Sequence, residues 1–330
     1  MKPLRILTWH VHGNYLYYLS HAPHQFYLPV DPNRHEGYGG RGTTFPWGDN
    51  VFDVPTDAVR SLQLDCVLFQ SRKNYTDDQF RILSSAQQRL PRIYLEHDPP
   101  REHPTDTRHI VDDRNVLVVH VTSFNNLMWD CGQTPTRVIE HGVVVPDQVR
   151  YSGEIPKGLV VINNLRQRGR RLGADIFERT RREIPLDLVG MDSLSLGGLG
   201  EIPPPKLAAF AARYRFFFNP IRYTSLGLAV CEAMMIGMPI IGLATTEMVT
   251  VVENGVSGYL ETCPEKLIDR MRELLCDADE ARSLGRLAQR HARSRFAIGR
   301  FAHDWDQTFA MVTSRTPSMS SYSGSGRAAS

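Results

Sequence analysis

The stretch NPIRYTSLGLAVCEAMMIGMPIIG, residues 219–242, holds the parts of a parallel β/α unit in order along the chain. An apolar strand ends at Asn219, and a turn follows it. A helix is predicted over 227–236, because Gly237 can end it in a left-handed conformation and Pro239 opens the next apolar segment. The helix therefore begins at the carboxyl end of a buried strand, where free backbone N–H groups and the helix dipole favour a phosphate.

Glu232 is the only charged side chain in the second half of this stretch. It lies about one and a half turns into the predicted helix, so it cannot complete a capping box with Ser225. Just behind a phosphate site, its carboxylate is placed to accept two hydrogen bonds from a ribose diol. The alternative is a buried ion pair with an arginine such as Arg222. Thr224 or Ser225 could cap the helix, and the same hydroxyl could also contact a ligand.

Outside this stretch, short apolar runs alternate with helical patterns, which is typical of α/β proteins with parallel sheets. Strands are predicted over 4–9, 66–71, 92–97 and 116–121, and again over 159–163, 186–190, 215–220 and 239–244. This order predicts two Rossmann-like domains that face one cleft.

A turn-rich composition near residue 150 marks the predicted boundary between the domains. The first domain is assigned to 1–150 and the second to 151–297. The aromatic segment 298–313 is expected to pack back on the first domain. The Ser- and Gly-rich segment 314–330 lacks apolar periodicity and is predicted to be a disordered tail.

The charge balance limits the class of partner. Lys and Arg total 38 against 36 Asp and Glu, so nothing favours nucleic acid, and at most a peripheral membrane contact is expected. Five of the 38 are lysine and 33 are arginine, so guanidinium groups and backbone amides are expected to bind any phosphate. The five cysteines include no closely spaced pair, and no signal peptide or membrane span is evident, which predicts a cytoplasmic protein.

Residues 220–239 resemble the core signature of the GT-B retaining glycosyltransferases of the family 4 type. That signature runs Pro-Ser-x-x-Glu-Gly-Phe-Gly-Leu-x-x-x-Glu-Ala-Met-x-x-Gly-x-Pro-Val-Ile. The matching places are held by Pro220, Gly227, Leu228, Glu232, Ala233, Met234, Gly237 and Pro239. Weaker similarity continues through 136–146 and 251–260, and covers most of 115–312.

The resemblance implies a GT-B fold and a retaining transfer of sugar from a UDP- or GDP-linked donor to a carbohydrate, lipid or small-molecule acceptor. It implies a catalytic set of His97, Arg166, Arg171, Thr224 and Glu232. It implies a donor-binding set of Gly13, Arg168, Gly190, Ile202, Tyr223, Ser225, Gly227, Leu228 and Glu232. His97 follows a strand that should point into the cleft, although a structural role is the alternative for such a histidine.

Two departures from the family pattern bear on activity. Thr224 stands where the family has the first of two glutamates, the one that contacts the donor sugar. The family's phosphate-binding Arg and Lys are replaced by a cluster of arginines at 166, 168, 170 and 171, which could alternatively be a solvated surface. The alternative function is a nucleotide-sugar-binding protein of the same fold without catalysis; a sugar-nucleotide epimerase shares the fold but lacks the motif.

Two further sequence patterns could indicate ligand sites. The glycines of 37–44 are spaced like a P-loop, but Thr43 holds the lysine position, so a loop on the acceptor side of the cleft is predicted instead. The Asp-x-Asp matches at 277–279 and 304–306 lie away from predicted strand ends and are interpreted as surface carboxylates. No metal and no cofactor besides the donor nucleotide sugar is therefore expected.

Overall fold

Two parallel β-sheets organise the computed structural model, which describes residues 2–314. The first sheet has the order β3-β2-β1-β4-β5-β6-β7 and the second the order β12-β11-β10-β8-β9. The strands of the first sheet are β1 (Arg5–Thr8), β2 (Gln25–Val30), β3 (Val51–Pro55), β4 (Cys66–Phe69), β5 (Arg92–Glu96), β6 (Val116–His120) and β7 (Thr136–Val138). The strands of the second are β8 (Ile155–Val161), β9 (Leu186–Val189), β10 (Tyr214–Asn219), β11 (Ile240–Leu243) and β12 (Gly258–Glu261). We call the parts built on these sheets the first and the second domain.

Helices connect the strands and cover the sheets. Those of the first domain are α1 (Gly13–Leu19), α2 (Gln79–Ile82) and α3 (Ser123–Met128). Those that follow are α4 (Leu165–Arg168), α5 (Ala174–Thr180), α6 (Pro204–Ala211), α7 (Leu228–Ile236), α8 (Met248–Val251), α9 (Pro264–Cys276), α10 (Ala278–Arg295) and α11 (Ile298–Ser314). None of the helices within 2–314 is both long and apolar enough to span a membrane.

The central strands are apolar without alternation because both of their faces are covered. All residues of β4, β6 and β11 are buried, as expected for parallel strands between two helix layers. One contiguous cluster of buried side chains includes Ile6 of the first sheet, Met234 of α7 and Trp305 of α11. The two domains therefore share part of their core.

The last helix, α11, packs against α1 of the first domain. Trp305 is fully buried and its indole N–H donates to the Tyr15 hydroxyl oxygen over 3.2 Å. Phe301 meets the same tyrosine edge-on, with ring centroids 5.4 Å apart. The chain thus leaves the second domain through α10 and ends its described part on the first.

The predicted fold class is confirmed, and each predicted strand is present within a few residues of its expected bounds. The prediction missed β2, β3 and β7, of which β3 and β7 are the edges of the first sheet. The edge strand β12 of the second sheet overlaps residues 251–260, which were noted only for their similarity to the family. The segment 314–330, predicted to be a tail, lies outside the described residues except for Ser314, the last residue of α11.

Candidate active site

A cleft of about 640 Å³ lies between the domains. Since all strands are parallel, the carboxyl ends of each sheet share one edge, and the cleft follows the ends of β1 and β5 on one side and of β8, β9 and β10 on the other. Ten predicted site residues line it: Gly13, His97, Arg168, Gly190, Ile202, Thr224, Ser225, Gly227, Leu228 and Glu232. Residues from both halves of the chain are thus brought to one cavity, where ligand sites in such sheets are expected.

The amino end of α7 opens into this cleft. Gly227 precedes the first helical residue with extended backbone, and no side chain caps the helix. Thr224 and Ser225 therefore do not serve as caps, contrary to the sequence-based alternative. A Cβ atom built at Gly227 would meet nothing within 4 Å, so the approach to the first-turn amides is open. These amides and the helix dipole can bind an anion.

Glu232 lies one turn further along α7, partly buried in the cleft wall. The Tyr18 hydroxyl donates to its Oε1 over 2.6 Å. Burial raises the pKa of Glu232, and the Tyr18 hydrogen bond and the neighbouring Asn14 side chain oppose that rise because they favour the charged form. The expected alternative, an ion pair with Arg222, is wrong: that guanidinium binds both carboxylate oxygens of Asp175, at 2.6 and 2.8 Å.

The arginine cluster divides into one residue in the cleft and three around it. Arg168 lines the cleft, whereas the Arg166 side chain is exposed and outside the lining. Arg170 pairs with Asp175 over 2.6 Å. Arg171 is partly buried beside the cleft but outside its lining, and its carbonyl oxygen accepts the Arg222 and Tyr223 N–H groups over 3.0 and 3.2 Å. The structure thus favours Arg168 over Arg166 and Arg171 for contact with a ligand in the cleft.

Arg101, which the sequence analysis missed, lines the cleft from the first domain. It lies on the segment after β5 and pairs with Asp98. Burial lowers the pKa of Arg168, and repulsion by Arg171 and Arg101 lowers it further. Two guanidinium groups from opposite domains therefore face the same space, an arrangement that an anion between them would stabilise.

His97 lies in the cleft wall at the end of β5 with its ring centroid 4.0 Å from that of His12 and 4.9 Å from that of Tyr15. Within residues 2–314 its Nε2 atom is buried and has no hydrogen-bond partner. Burial holds the pKa of His97 well below the usual range, and the neighbouring His12 and His141 lower it further. The imidazole is thus neutral near pH 7 and its unpartnered nitrogen suits a hydroxyl of a bound ligand.

Three predicted residues are explained by local geometry. Gly190 has a φ of 130°, and a Cβ there would approach the Ile162 carbonyl oxygen to 2.7 Å, so glycine is needed where β9 turns out of the sheet. A Cβ at Gly13 would lie 2.8 Å from the Phe45 ring. Tyr223 is outside the lining, since its ring packs edge-on against Phe124 of the first domain.

Both Asp-x-Asp pairs have local structural partners. The Asp277 carboxylate caps α10, accepting the N–H groups of Asp279 and Glu280. Asp304 pairs with Arg300, and Asp306 with His24. Among residues 2–314, no group of three or more His, Cys, Asp or Glu side chains is arranged to hold a metal ion.

Comparison with known proteins adds a family and a fold. Residues 181–277, which include Glu232 and all of α7, match the family described as "Glycosyl transferases group 1". Comparison with curated protein sequences gives no significant match.

Three solved structures illustrate the structural likeness. Sucrose-phosphate synthase from Thermosynechococcus elongatus has a TM-score of 0.69 at 15% identity, covering 95% of this chain and 100% of that chain. Anabaena HepE in complex with UDP-glucose has a TM-score of 0.64 at 16% identity, covering 95% and 100%. A glycosyltransferase from Rickettsia africae has a TM-score of 0.65 at 11% identity, covering 96% and 100%. At these identities the likeness establishes the fold.

The resemblance that residues 220–239 indicated is confirmed at the level of fold and of the matching group. The two parallel sheets, of seven and five strands, agree with the architecture of these structures over nearly the whole chain. The protein has the GT-B glycosyltransferase fold, and residues 181–277 of its second domain match the group 1 glycosyltransferases.

Proposed function

We propose that this protein is a retaining glycosyltransferase of the family 4 type, which moves a sugar from a nucleoside-diphosphate sugar to an acceptor hydroxyl. The observation that carries the proposal is the convergence, in one interdomain cleft, of the uncapped amino end of α7, the Glu232 carboxylate and the Arg168 guanidinium. The helix end is an anion site, the carboxylate can accept hydrogen bonds from a diol, and the guanidinium is a cation. A nucleoside diphosphate offers the complementary groups.

The nucleotide binds the second domain in this proposal. Glu232 accepts hydrogen bonds from the ribose hydroxyls, and the Gly227 and Leu228 amides bind the distal phosphate. Gly190 and Ile202, which line the cleft after β9, form the wall for the base. Anabaena HepE, a structural neighbour, has been solved with UDP and with UDP-glucose, which supports UDP as the first nucleotide to test and leaves GDP as the second.

The leaving diphosphate acquires charge as the glycosidic bond breaks. Arg168 from the second domain and Arg101 from the first are proposed to stabilise it together with the α7 amides, in place of Arg166 and Arg171. Fixed donors aimed at developing charge in a cleft that excludes water are an efficient form of catalysis. Because these groups supply positive charge directly, we propose that transfer is metal-independent.

The acceptor enters from the first domain. Its hydroxyl attacks the anomeric carbon on the face that the diphosphate leaves, so the new C–O bond forms where the old one breaks and the configuration is retained. The hydroxyl proton passes to the departing phosphate oxygen, the nearest base on that face. Neutral His97, with a free ring nitrogen in the cleft wall, is proposed to hydrogen-bond a hydroxyl of the transferred sugar.

The test is to incubate the protein with UDP- and GDP-linked sugars and a panel of carbohydrate, lipid and small-molecule acceptors. Release of nucleoside diphosphate that depends on the acceptor, with the anomeric configuration kept in the product by NMR, would support the proposal. An inverted product would contradict the retaining mechanism.

Thr224 supports one alternative function. It lines the cleft where the family has a glutamate that contacts the donor sugar, so a hydroxyl replaces a carboxylate there. A catalytically inactive nucleotide-sugar-binding protein would show thermal stabilisation by a nucleotide sugar without turnover, whichever acceptor is supplied.

A further inference from the structure

Helix α1 of the first domain reaches across the cleft to the carboxylate of α7. Asn14 and Tyr18 are four residues apart and so lie on one face of α1. The Tyr18 hydroxyl donates to Glu232 Oε1 over 2.6 Å, and the Asn14 side chain lies close enough to favour the charged carboxylate. The residue proposed to bind ribose is thus oriented by side chains of the opposite domain.

In the contact between Tyr18 and Glu232, the tyrosine hydroxyl is the hydrogen-bond donor. Tyr18 is 6% exposed, so its hydroxyl has little access to water and depends on a protein acceptor. Burial and the adjacent Glu232 raise its pKa, so the hydroxyl keeps its proton and acts as donor. A neutral donor on a carboxylate gives a short, charge-assisted bond that fixes the acceptor's orientation. Glu232 still lines the cleft, where its remaining acceptor sites are open to a ligand.

The position of α1 is itself fixed by α11. Tyr15, one turn before Tyr18, accepts a hydrogen bond from Trp305 of α11 and meets Phe301 edge-on. Tyr18 therefore stands on a helix that is held, one turn before it, by buried aromatic groups of α11. Movement of the first domain away from the second would withdraw Tyr18 from Glu232.

We infer that Tyr18 is a positioning residue for donor binding: its hydroxyl holds the Glu232 carboxylate in the orientation that accepts the ribose diol, so that nucleotide affinity in the second domain depends on the first. The inference rests on the proposed function, since it assumes that Glu232 binds ribose. Tyr18 acts through Glu232 and need not touch the nucleotide.

The test compares wild type with Tyr18→Phe, which removes the hydroxyl and keeps the ring. Calorimetric titration uses UDP or GDP, whichever wild type binds, and the matching 2′,3′-dideoxynucleotide. We expect Tyr18→Phe to raise the Kd of the ribonucleotide by about tenfold, the effect of losing a hydrogen bond to a charged group. The Kd of the dideoxynucleotide should not change, because that ligand has no diol for Glu232.

Tyr27→Phe is the matched control, since Tyr27 is in the same domain, donates to Gln25 and lies outside the cleft. It should leave both dissociation constants unchanged. In a Glu232→Gln background, Tyr18→Phe should have little further effect on ribonucleotide binding. Circular dichroism of each variant identifies any loss of fold.

A pH profile separates positioning from a structural role. Because the Tyr18 hydrogen bond favours charged Glu232, its removal raises the pKa of that carboxyl further. Ribonucleotide affinity should then be lost on acidification at a higher pH in Tyr18→Phe than in wild type. Cys231, adjacent to Glu232 on α7, has a pKa raised well above its usual value by burial and is neutral throughout this range. In the same cleft, burial lowers the pKa of His97 and of His141, which favours their neutral forms.

The outcomes distinguish the inference from the function on which it rests. Wild type that binds neither UDP nor GDP would overturn the proposed function and this inference with it. Wild type that binds one of them, with Tyr18→Phe binding equally well, would overturn only the inference. An equal loss of affinity for the ribonucleotide and for its dideoxy analogue would also overturn the inference, because the effect would then not depend on the diol.

Discussion

Glu232 is a carboxyl group in the wall of a cleft, and its charged form is favoured by neutral side chains instead of a cation. Burial raises its pKa, and Tyr18 and Asn14 limit that rise. An arginine partner would neutralise the group and occupy its oxygens, but Arg222, the partner considered from the sequence, binds Asp175 instead. The carboxylate therefore keeps acceptor capacity for a ligand.

Glu232→Gln tests that capacity at the scale of a single residue. The amide is isosteric but gives up the negative charge, so we expect the Kd for UDP or GDP to rise at least about tenfold. Glu178→Gln, on the exposed face of α5, is the control and should bind as wild type. In wild type, affinity should fall as pH drops through the raised pKa of Glu232. Undiminished binding by Glu232→Gln would exclude the ribose role.

The arginine cluster offers a second comparison between neighbouring residues. Arg168 lines the cleft and Arg166 is exposed outside it, although both are on α4. Arg168→Gln should slow nucleoside-diphosphate release by on the order of 100-fold, because it removes charge stabilisation of the leaving group. Arg166→Gln should leave that rate essentially unchanged. The reverse ranking would restore the sequence-based choice of Arg166.

At the scale of secondary structure, α3 and α7 begin in different ways. The Thr122 hydroxyl accepts the Asn125 N–H over 3.1 Å and so caps α3, whereas α7 follows Gly227 without a side-chain cap. An uncapped amino end that opens into a cleft keeps its N–H groups for a ligand. Thr224, three residues before Gly227, therefore has no capping role.

Two alanine substitutions measure this difference by chemical denaturation. Thr122→Ala should lower the free energy of unfolding by about 1 kcal/mol, the usual effect of losing a cap. Thr224→Ala should change it by less than about 0.5 kcal/mol, as for a residue without such a role. A loss of about 1 kcal/mol for Thr224→Ala would show that its hydroxyl does stabilise the helix in solution.

The elements that the sequence predicted well are those whose burial is uniform. β4, β6 and β11 are buried throughout, and the helix predicted over 227–236 is observed as α7, which ends at Gly237 as expected. The edge strands β3 and β7 were missed, because β3 mixes buried with exposed residues and β7 has only three residues. Local patterns are weak where a strand has one covered side.

The candidate site was only partly predicted, because some of its residues are close together in the sequence and others are not. Glu232, Gly227 and Leu228 are close in sequence and form a recognisable motif. Arg101, His12 and Tyr18 join the site only through folding, since they come from loops and a helix of the other domain. No local spacing could have indicated that Tyr18 meets a residue more than two hundred positions away.

At the scale of the whole molecule, the stretch before residue 146 and α11 connect the domains. Arg300 of α11 donates to the Glu140 carbonyl oxygen over 2.9 Å, and Arg295 of α10 pairs with the Glu140 carboxylate over 2.5 Å. Phe301 is fully buried where α11 crosses this stretch. The arrangement of the two halves of the cleft therefore depends on close packing at this crossing.

Gly142 and Gly299 allow that packing to be tested with one kind of substitution. A Cβ at Gly142 would lie 2.2 Å from the Phe301 Cβ, so Gly142→Ala should force the crossing apart and lower the free energy of unfolding by about 1–3 kcal/mol. A Cβ at Gly299, in the first turn of α11, would meet nothing within 4 Å. Gly299→Ala should therefore stabilise the protein by about 0.5–1 kcal/mol, because alanine favours the helix.

Urea denaturation of both variants measures these opposite effects. If the crossing also sets the distance between the domains, Gly142→Ala should weaken UDP or GDP binding as well, since Tyr18 and Glu232 approach each other from opposite sides of the cleft. Gly299→Ala, which leaves the crossing intact, should bind as wild type. Nucleotide binding that survives in a destabilised Gly142→Ala variant would mean that the second domain binds the donor without support from the first.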